Sequence, residues 1–497
     1  MMNGSEGKER NKSVYREFIG GDKTLWMIIV ILCIFSILVV YSSTASMAYK
    51  KLDGDTSHFL IRQVRFILLG LATIYLFHLI NYRRYFDKAR RNFRFSIVLL
   101  LLTFVVGVTY NGATRWLGIP GTGFTFQPSE LVKITLIINT AAFLASKQKI
   151  MATMPILPSL RKSDWRRDPD RNYRILHEIT LPLLMPMALA CLLVMVSNLS
   201  TAVIMAATCL IILVIGRVRW SEIRRLIGAA VVVFAAVVIM LKIFDVGRVD
   251  TWISRVEHFV TDENKEGEIS DEQFQAYQAK MAVASGWLMG RGPGNSTQRS
   301  NLPHPYSDYA YAFIIEEYGL LGALFVLGCY LWIFYRSIVI FRKCDTAFPA
   351  LLVLGLSLTI TLQALLHMLV SVDATPVTGQ TLPLISLGGS SLLFTCMSLG
   401  IILGVSRRQN AIEYERMIAE KRRLNIEEWQ HVMLEEYDGE KRGKKSRKKE
   451  EVDELDTMKR IAYQGVVWYN PEDEDDTKEQ WNYGDYYDND EKEEDYS

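Results

Sequence analysis

The chain has 497 residues, six cysteines and a net charge of +2 from 56 basic and 54 acidic side chains. Half of it is hydrophobic, and these residues gather into runs of about 20, the length that spans a bilayer. That pattern excludes a soluble multidomain protein, and nothing in it marks a nucleic-acid partner.

Residues 1–24 form a short polar segment. Ten candidate spans follow, at about 25–45, 60–80, 94–110, 129–146, 178–196, 200–216, 226–243, 308–336, 348–371 and 388–405. The first run is too long for a removable signal and lacks a small-residue cleavage site, so it reads as an anchor. Lys and Arg crowd alternate loops, at Arg83–Arg94, Lys147–Arg174, Arg217–Arg225 and Arg336–Lys343. The positive-inside rule then places both termini in the cytoplasm and the large loop 244–307 outside. The expected fold is an all-α integral membrane protein with about ten transmembrane helices in 25–405. A charged cytoplasmic tail, 406–497, follows. Its opening, Asn410–Tyr437, has a helical pattern, and the basic run Lys441–Lys449 and acidic end are expected to be disordered. Cys33, Cys191, Cys209, Cys329, Cys344 and Cys396 lie in or beside spans with no paired spacing, and read as apolar packing residues.

Four polar motifs interrupt this apolar pattern. Gly112-Ala113-Thr114-Arg115-Trp116-Leu117 leads to Phe126-Gln127-Pro128-Ser129-Glu130-Leu131-Val132-Lys133. Ser129 or Gln127 can cap a helix whose first turn holds Glu130. Glu130 and Lys133 share a helical face and can pair. They read equally well as a buried ion pair that locks two spans or, with Arg115, as a cationic contact for an anionic head group. Arg115 is the better phosphate ligand because guanidinium offers a fork of donors.

The segment Phe274–Gly319 carries Gln275, Gln278 and a glycine-rich turn that includes Gly292 and Gly294. It continues through Leu302-Pro303 and Ser307-Asp308 into a span with Glu316-Glu317 two turns in. Intramembrane carboxylates are costly and mark polar-substrate handling by default. Ser307 and Asp308 can also serve as a simple helix cap. A half-desolvated carboxylate at head-group depth is equally suited to take a proton from a hydroxyl. Of Glu316 and Glu317, one is expected to support the protein interior and the other to pair with a basic side chain.

Thr375-Pro376-Val377-Thr378-Gly379 then precedes Leu382-Pro383-Leu384-Ile385-Ser386-Leu387-Gly388-Gly389-Ser390-Ser391. Irregular backbone at membrane depth is tolerated around a cavity, with Ser390 and Ser391 supplying hydroxyls. Small residues there also suit tight span packing.

The order GATRWL, FQPSELVK, LPHPYSDYAYAFIIEEYG and PVTGQTLPLISLGGSSLL resembles the SEDS family (shape, elongation, division and sporulation) over about residues 20–405. The early VYSSTASMAYK is closer to division-type than to elongation-type members. The resemblance implies a ten-span peptidoglycan glycosyltransferase of the bacterial cytoplasmic membrane that polymerises lipid II at the outer face. Its implied partners are a class B penicillin-binding protein and other cell-division proteins. Asp308 is implied as the essential carboxylate, a general base on the acceptor hydroxyl, with undecaprenyl diphosphate leaving and inversion giving a β-1,4 link. Arg115, with Lys133 or a divalent cation such as Mg²⁺, would offset charge on the diphosphate. The substrate-contact set is Arg115, Glu130, Lys133, Gln275, Gln278, Gly292, Gly294, Glu316, Glu317, Ser390 and Ser391. No compact acidic cage is evident, so a divalent cation would be held partly by substrate phosphate.

The chain departs from the family pattern at several points. Asn198-Leu199-Ser200-Thr201 replaces an Asp-Leu-Gly-Thr, Leu387 replaces a tyrosine, His367 and Ser371 replace asparagines, and Asp373 replaces a small residue. Two rival classes are a lipid II flippase and a non-catalytic scaffold that activates a penicillin-binding protein.

Overall fold

The computed structural model describes residues 20–51, 57–110, 113–118, 125–159, 166–244, 249–260, 271–298 and 307–443. Gly112, Leu302-Pro303, most of the basic run Lys441–Lys449 and the acidic end of the tail lie outside them. The chain divides into two compact units, Met1–Asn410 and Ala411–Ser497. Within the second unit the described part is helical, and Arg423 Nε pairs with Glu427 Oε1 one turn on, at 3.1 Å.

The first unit is a helical membrane body. Its helices are α1 (Lys23–Lys51), α2 (Ser57–Leu79), the short α3 (Arg83–Asp87), α4 (Ala89–Val106), α5 (Pro128–Ser146), the short α6 (Gln148–Thr153) and α7 (Pro169–Arg174). A π-helical turn, Ile175–Thr180, joins α7 to α8 (Leu181–Ser197). Then come α9 (Leu199–Ile215), α10 (Trp220–Ile243), α11 (Val249–Val260), α12 (Asp271–Gly286), α13 (Ala310–Lys343), α14 (Ala347–Ser371) and α15 (Gly389–Gly443), of which residues 389–410 belong to this unit. Among the described residues eight helices are long and apolar enough to cross a membrane. The other two expected spans are also helical: α9 is shorter, and α4 opens with a run of arginines. The protein is a multi-pass membrane protein.

Burial sorts the helices. α14 and α5 are the central ones, and polar side chains on them meet other helices: Ser96 Oγ lies 2.7 Å from Thr135 Oγ1, and Thr359 Oγ1 lies 3.3 Å from Thr208 Oγ1. α10 lies at the periphery, with Val231, Val232 and Ile239 exposed, and such a uniformly apolar face is suited to lipid.

Three features go beyond the expected all-helical pattern. Three short strands form a small antiparallel sheet in the order β1 (Val108–Tyr110), β2 (Ala113–Gly118), β3 (Thr125–Phe126). Much of the large loop is helical, as α11 and α12. Alanines made α12 hard to recognise as a packing helix: Ala279 and Ala282 are buried against Tyr309, Ala312 and Val370. The span expected at 308–336 is also broken, because Gly319 (φ 67°, ψ −169°) leaves helical geometry inside α13.

Candidate active site

Asp308 lies in the turn Ser307–Tyr309 just before α13 and is half-buried. The helix is capped at Tyr309, which makes no side-chain capping bond. The Asp308 carboxylate Oδ1 instead accepts from Ser307 Oγ at 3.0 Å. Ser386 Oγ donates to the Ser307 carbonyl at 3.0 Å and accepts from Leu382 N–H at 2.9 Å. The Pro- and Gly-rich run between α14 and α15 therefore fixes the turn that carries Asp308.

The same run reaches a buried cation. Lys133, in the second turn of α5, pairs with Glu130 Oε2 at 2.9 Å and donates to Gln363 Oε1 of α14 at 2.7 Å. Gln363 Nε2 donates to the Thr381 carbonyl at 3.1 Å, and Thr381 Oγ1 lies 3.0 Å from Ser391 Oγ. Ser390, beside it at the start of α15, is buried, as is Ser129 on α5. Gln127, not Ser129, occupies the cap position of α5, without a side-chain bond. A small crevice, with an accessible volume of about 10 Å³, lies along Glu130, Lys133, Gln363, Thr395 and Ser398. Lys133 thus ties α5 to α14, and the ion pair borders this crevice.

Arg115 sits at an irregularity of β2. Thr109 pairs with Thr114 but Val108 pairs with Trp116, so Arg115 is the extra residue of a bulge. Bulges re-aim a side chain and sharpen the local twist. β3 ends at the residue before Gln127, so the sheet leads directly into α5 with Glu130 and Lys133.

Glu316 and Glu317 are both fully buried, at 0% exposure. Each is engaged by the turn that follows α12. Glu316 accepts from Ser296 Oγ, from Thr297 N–H at 2.8 Å and Oγ1 at 3.0 Å, and from Gln298 N–H at 3.2 Å. Glu317 accepts from Ser42 Oγ of α1 and from Gly294 N–H at 2.9 Å. Its own carbonyl accepts from Gly292 N–H at 2.9 Å. Gly292 and Gly294 thus both meet Glu317, Ser296 to Gln298 meet Glu316, and this group organises the loop. Gln275 and Gln278 are half-buried on α12, the helix that packs against α13.

Residues that the sequence marked as departures from the family pattern, without a site role, complete the network with Gln380. His367 Nδ1 lies 2.7 Å from the Gln380 carbonyl. Gln380 Nε2 donates to Asn198 Oδ1 at 3.2 Å and Thr201 Oγ1 at 3.0 Å. The available signal was Gln363 and His367 four residues apart on one face of an otherwise apolar helix. Among the described residues no group of three His, Cys, Asp or Glu side chains could hold a metal ion.

Comparison with known proteins places this arrangement. Residues 22–411 match the family model described as "Cell cycle protein", of the FtsW, RodA and SpoVE type. The chain is 32% identical over 381 residues to a Thioalkalivibrio sulfidiphilus protein named "Probable peptidoglycan glycosyltransferase FtsW", covering 75% of this chain and 86% of that one. A Bacillus subtilis protein of the same name is 30% identical over 397 residues, covering 78% and 90%. Among solved structures, one reported under "Structural coordination of polymerization and crosslinking by a peptidoglycan synthase complex" superposes with a TM-score of 0.56 at 22% identity. It covers 79% of this chain and 99% of that chain, and shows the shared fold. With the family model spanning the whole membrane body, the chain belongs to the SEDS family, the cell cycle proteins of FtsW, RodA and SpoVE type.

Proposed function

We propose that this protein is a peptidoglycan glycosyltransferase of cell division. It polymerises lipid II into β-1,4-linked glycan at the outer face of the bacterial cytoplasmic membrane. The relatives named as FtsW glycosyltransferases support the activity. The alternation of basic loops supports the orientation. A class B penicillin-binding protein is the proposed partner, in keeping with the peptidoglycan synthase complex among the structural neighbours.

The observation that carries the site is the anchoring of the Ser307–Asp308 turn by Ser386, at the edge of a polar network that extends to Lys133. Asp308 is the general base on the acceptor's C4 hydroxyl. The resulting oxygen attacks the donor's anomeric carbon as the C–O bond to the lipid diphosphate breaks, which inverts that carbon. Lys133 and Arg115 are the cationic groups offered to the diphosphate, and their charge is worth most where negative charge develops. The apolar walls around the crevice, Ile134, Ile137, Leu356 and Ile360, keep the local dielectric low, which strengthens that interaction.

The deciding experiment is lipid II polymerisation by purified protein with and without its partner, comparing wild type with Asp308→Asn. The asparagine keeps size and polarity but cannot take the proton, so glycan formation should fall by the general-base factor of about 10²–10⁴. Folding and insertion should be unchanged. Near wild-type turnover would remove Asp308 from the chemistry. An Asp308→Ala protein that still supports wall synthesis while binding its partner would favour the scaffold reading.

A further inference from the structure

Trp287 follows Gly286 at the end of α12, and its φ of 44° is backbone that a bulky residue adopts only under strain. The side chain is nonetheless 85% exposed, and Met289 beside it is 73% exposed. Large apolar side chains held out of the protein at a cost in strain call for a partner outside the fold.

The backbone of this turn is spliced into the break of α13. In an unbroken helix the N–H groups of Leu320 and Leu321 would bond the carbonyls of Glu316 and Glu317. The break at Gly319 frees both pairs. Arg291 N–H and Gly292 N–H take the two carbonyls, each at 2.9 Å. Leu320 N–H donates to the Trp287 carbonyl at 2.9 Å, and Leu321 N–H to that of Leu288 at 3.4 Å. Leu288, Leu320 and Leu321 are exposed, so Trp287 and Met289 continue the apolar face of α13.

Two contacts between α1 and α13 set the level of this patch. Arg336 Nε donates to Asp22 Oδ2 at 3.1 Å at one end, and Ser42 donates to Glu317 at the other. Between these pins each helix runs for about 20 residues, roughly 30 Å at 1.5 Å per residue. That is the thickness of a bilayer's hydrocarbon core. Exposure agrees with it. On α1 the exposed row Met27, Val30, Ile34, Leu38 and Tyr41 ends beside Ser42. On α13 every residue from Ala310 to Glu317 is buried, whereas Leu320, Leu321, Leu324 and Phe325 are exposed. The lipid-facing part of α13 therefore begins at the break, where the Trp287 turn is bonded. Tyr335 is exposed beside Arg336 at the opposite pin. Aromatic residues thus mark both ends of this face, the pattern of side chains seated at the two head-group levels.

We propose that the turn Trp287–Met289 is a membrane-seating site on the side of the bilayer that carries Asp308. The Trp287 indole takes the head-group boundary, where an apolar ring with one N–H donor is at home, and Leu288 and Met289 meet the acyl chains. The occupant is lipid, because the patch is level with the end of the α1 row and continuous with the exposed face of α13. The four shared backbone bonds pass this seating to the turn that engages Glu316 and Glu317, and to the first half of α13, which follows Asp308. The proposal is independent of the glycosyltransferase reading and needs only a chain that crosses a membrane.

The test uses the full-length protein in vesicles of phosphatidylethanolamine and phosphatidylglycerol, with a nitroxide attached at Trp287→Cys, Met289→Cys or Tyr277→Cys. The unsubstituted protein, treated with the same reagent, gives the background. Labels at 287 and 289 should collide more with oxygen, which concentrates in lipid, than with a water-soluble nickel chelate. The label at 277, higher on α12, should show the reverse. Nickel accessibility at 287 and 289 equal to that at 277 would overturn the proposal. Labels shielded from nickel only once a partner chain is added would overturn it too, and would make the patch a protein interface. Trp287→Gly tests the consequence, since glycine keeps φ 44° without strain and removes only the indole. Hydrogen exchange at residues 291–298 in the same vesicles should rise about tenfold, the scale of partly burying one large apolar side chain. Unchanged exchange would show that lipid does not hold the turn, and this variant decides if the labelled proteins do not fold.

Discussion

Gly290 and Gly319 meet backbone to backbone: a Cβ on Gly319 would lie 2.4 Å from Gly290 N, and one on Gly290 would lie 2.3 Å from the Glu317 carbonyl oxygen. Gly319 also has φ 67° and ψ −169°, a region essentially closed to other residues. This contact lets the turn after α12 hydrogen-bond into the break of α13, with Leu320 N–H donating to the Trp287 carbonyl at 2.9 Å. Gly319→Ala should therefore lower stability by more than the backbone strain alone, about 1–3 kcal/mol. Thermal melting in detergent checks this, and an unchanged melting point would show that the two segments separate freely.

Glu316→Gln tests whether this carboxylate organises the loop. Three donors converge on Oε1 alone, and an amide offers one acceptor oxygen where the carboxylate offers two. Ser296, now on Oε2, then faces an amide nitrogen. A loss of about 1–3 kcal/mol is expected for an unsatisfied buried group. Faster hydrogen exchange should be confined to residues 291–298 and the start of α13. Exchange that rises across the whole membrane body would contradict that local role.

Exchanging Glu130 and Lys133 separates locking from substrate contact. Attraction within the pair survives the swap, but a carboxylate at 133 meets Gln363 Oε1. Turning the Gln363 amide to suit it would cost the bond to Thr381, since Nε2 now makes that bond. The swapped protein should fold, yet polymerise at least about 100-fold more slowly, comparable with losing an electrostatic donor in a catalytic site. Full activity would leave Arg115 as the main cationic candidate. Deleting one charge is less informative, because an orphaned buried partner costs about 3–5 kcal/mol by itself.

Topology is open to thiol labelling. Tyr277 on α12 and Tyr173 on α7 are both exposed, and the proposed topology has them on opposite sides of the membrane. An impermeant maleimide should label Tyr277→Cys in intact spheroplasts and label Tyr173→Cys only after permeabilisation. Native background should be low. Burial, with Asp345 beside it, pushes the Cys344 thiol up to about 12, so little reactive thiolate forms at neutral pH. The reverse pattern would move the site to the cytoplasm.

The helical spans were legible because burying or exposing about 20 apolar residues is a local property of composition. Glu130 with Lys133 was equally readable, since three residues on a helix bring two side chains together. Long-range pairings were not. Nothing local joins Ser386 to Ser307, or Gln363 to Lys133 across 230 positions. The bulge at Arg115 depends on register with β1, which composition does not encode. Gly319 stood in plain view, but the helical pattern that continues on both sides hid the break until Gly290 was placed against it.

One consequence follows from the run between α14 and α15. Carbonyls of Val377, Thr378, Gln380, Thr381 and Ile385 accept from Arg255, Ser200, His367, Gln363 and Ser36, and that of Pro383 accepts from Tyr330. These six side chains come from five different helices, and they replace water for a stretch of backbone that lies outside any helix or strand. The neighbouring helices act as its solvent shell, a shell with fixed members. Such a segment is a loop by geometry and a keystone by mechanics. Insertions that surface loops absorb would here strand carbonyls at membrane depth, and a pull on α11 from outside would reach α14 through bonds that already share one strand of backbone.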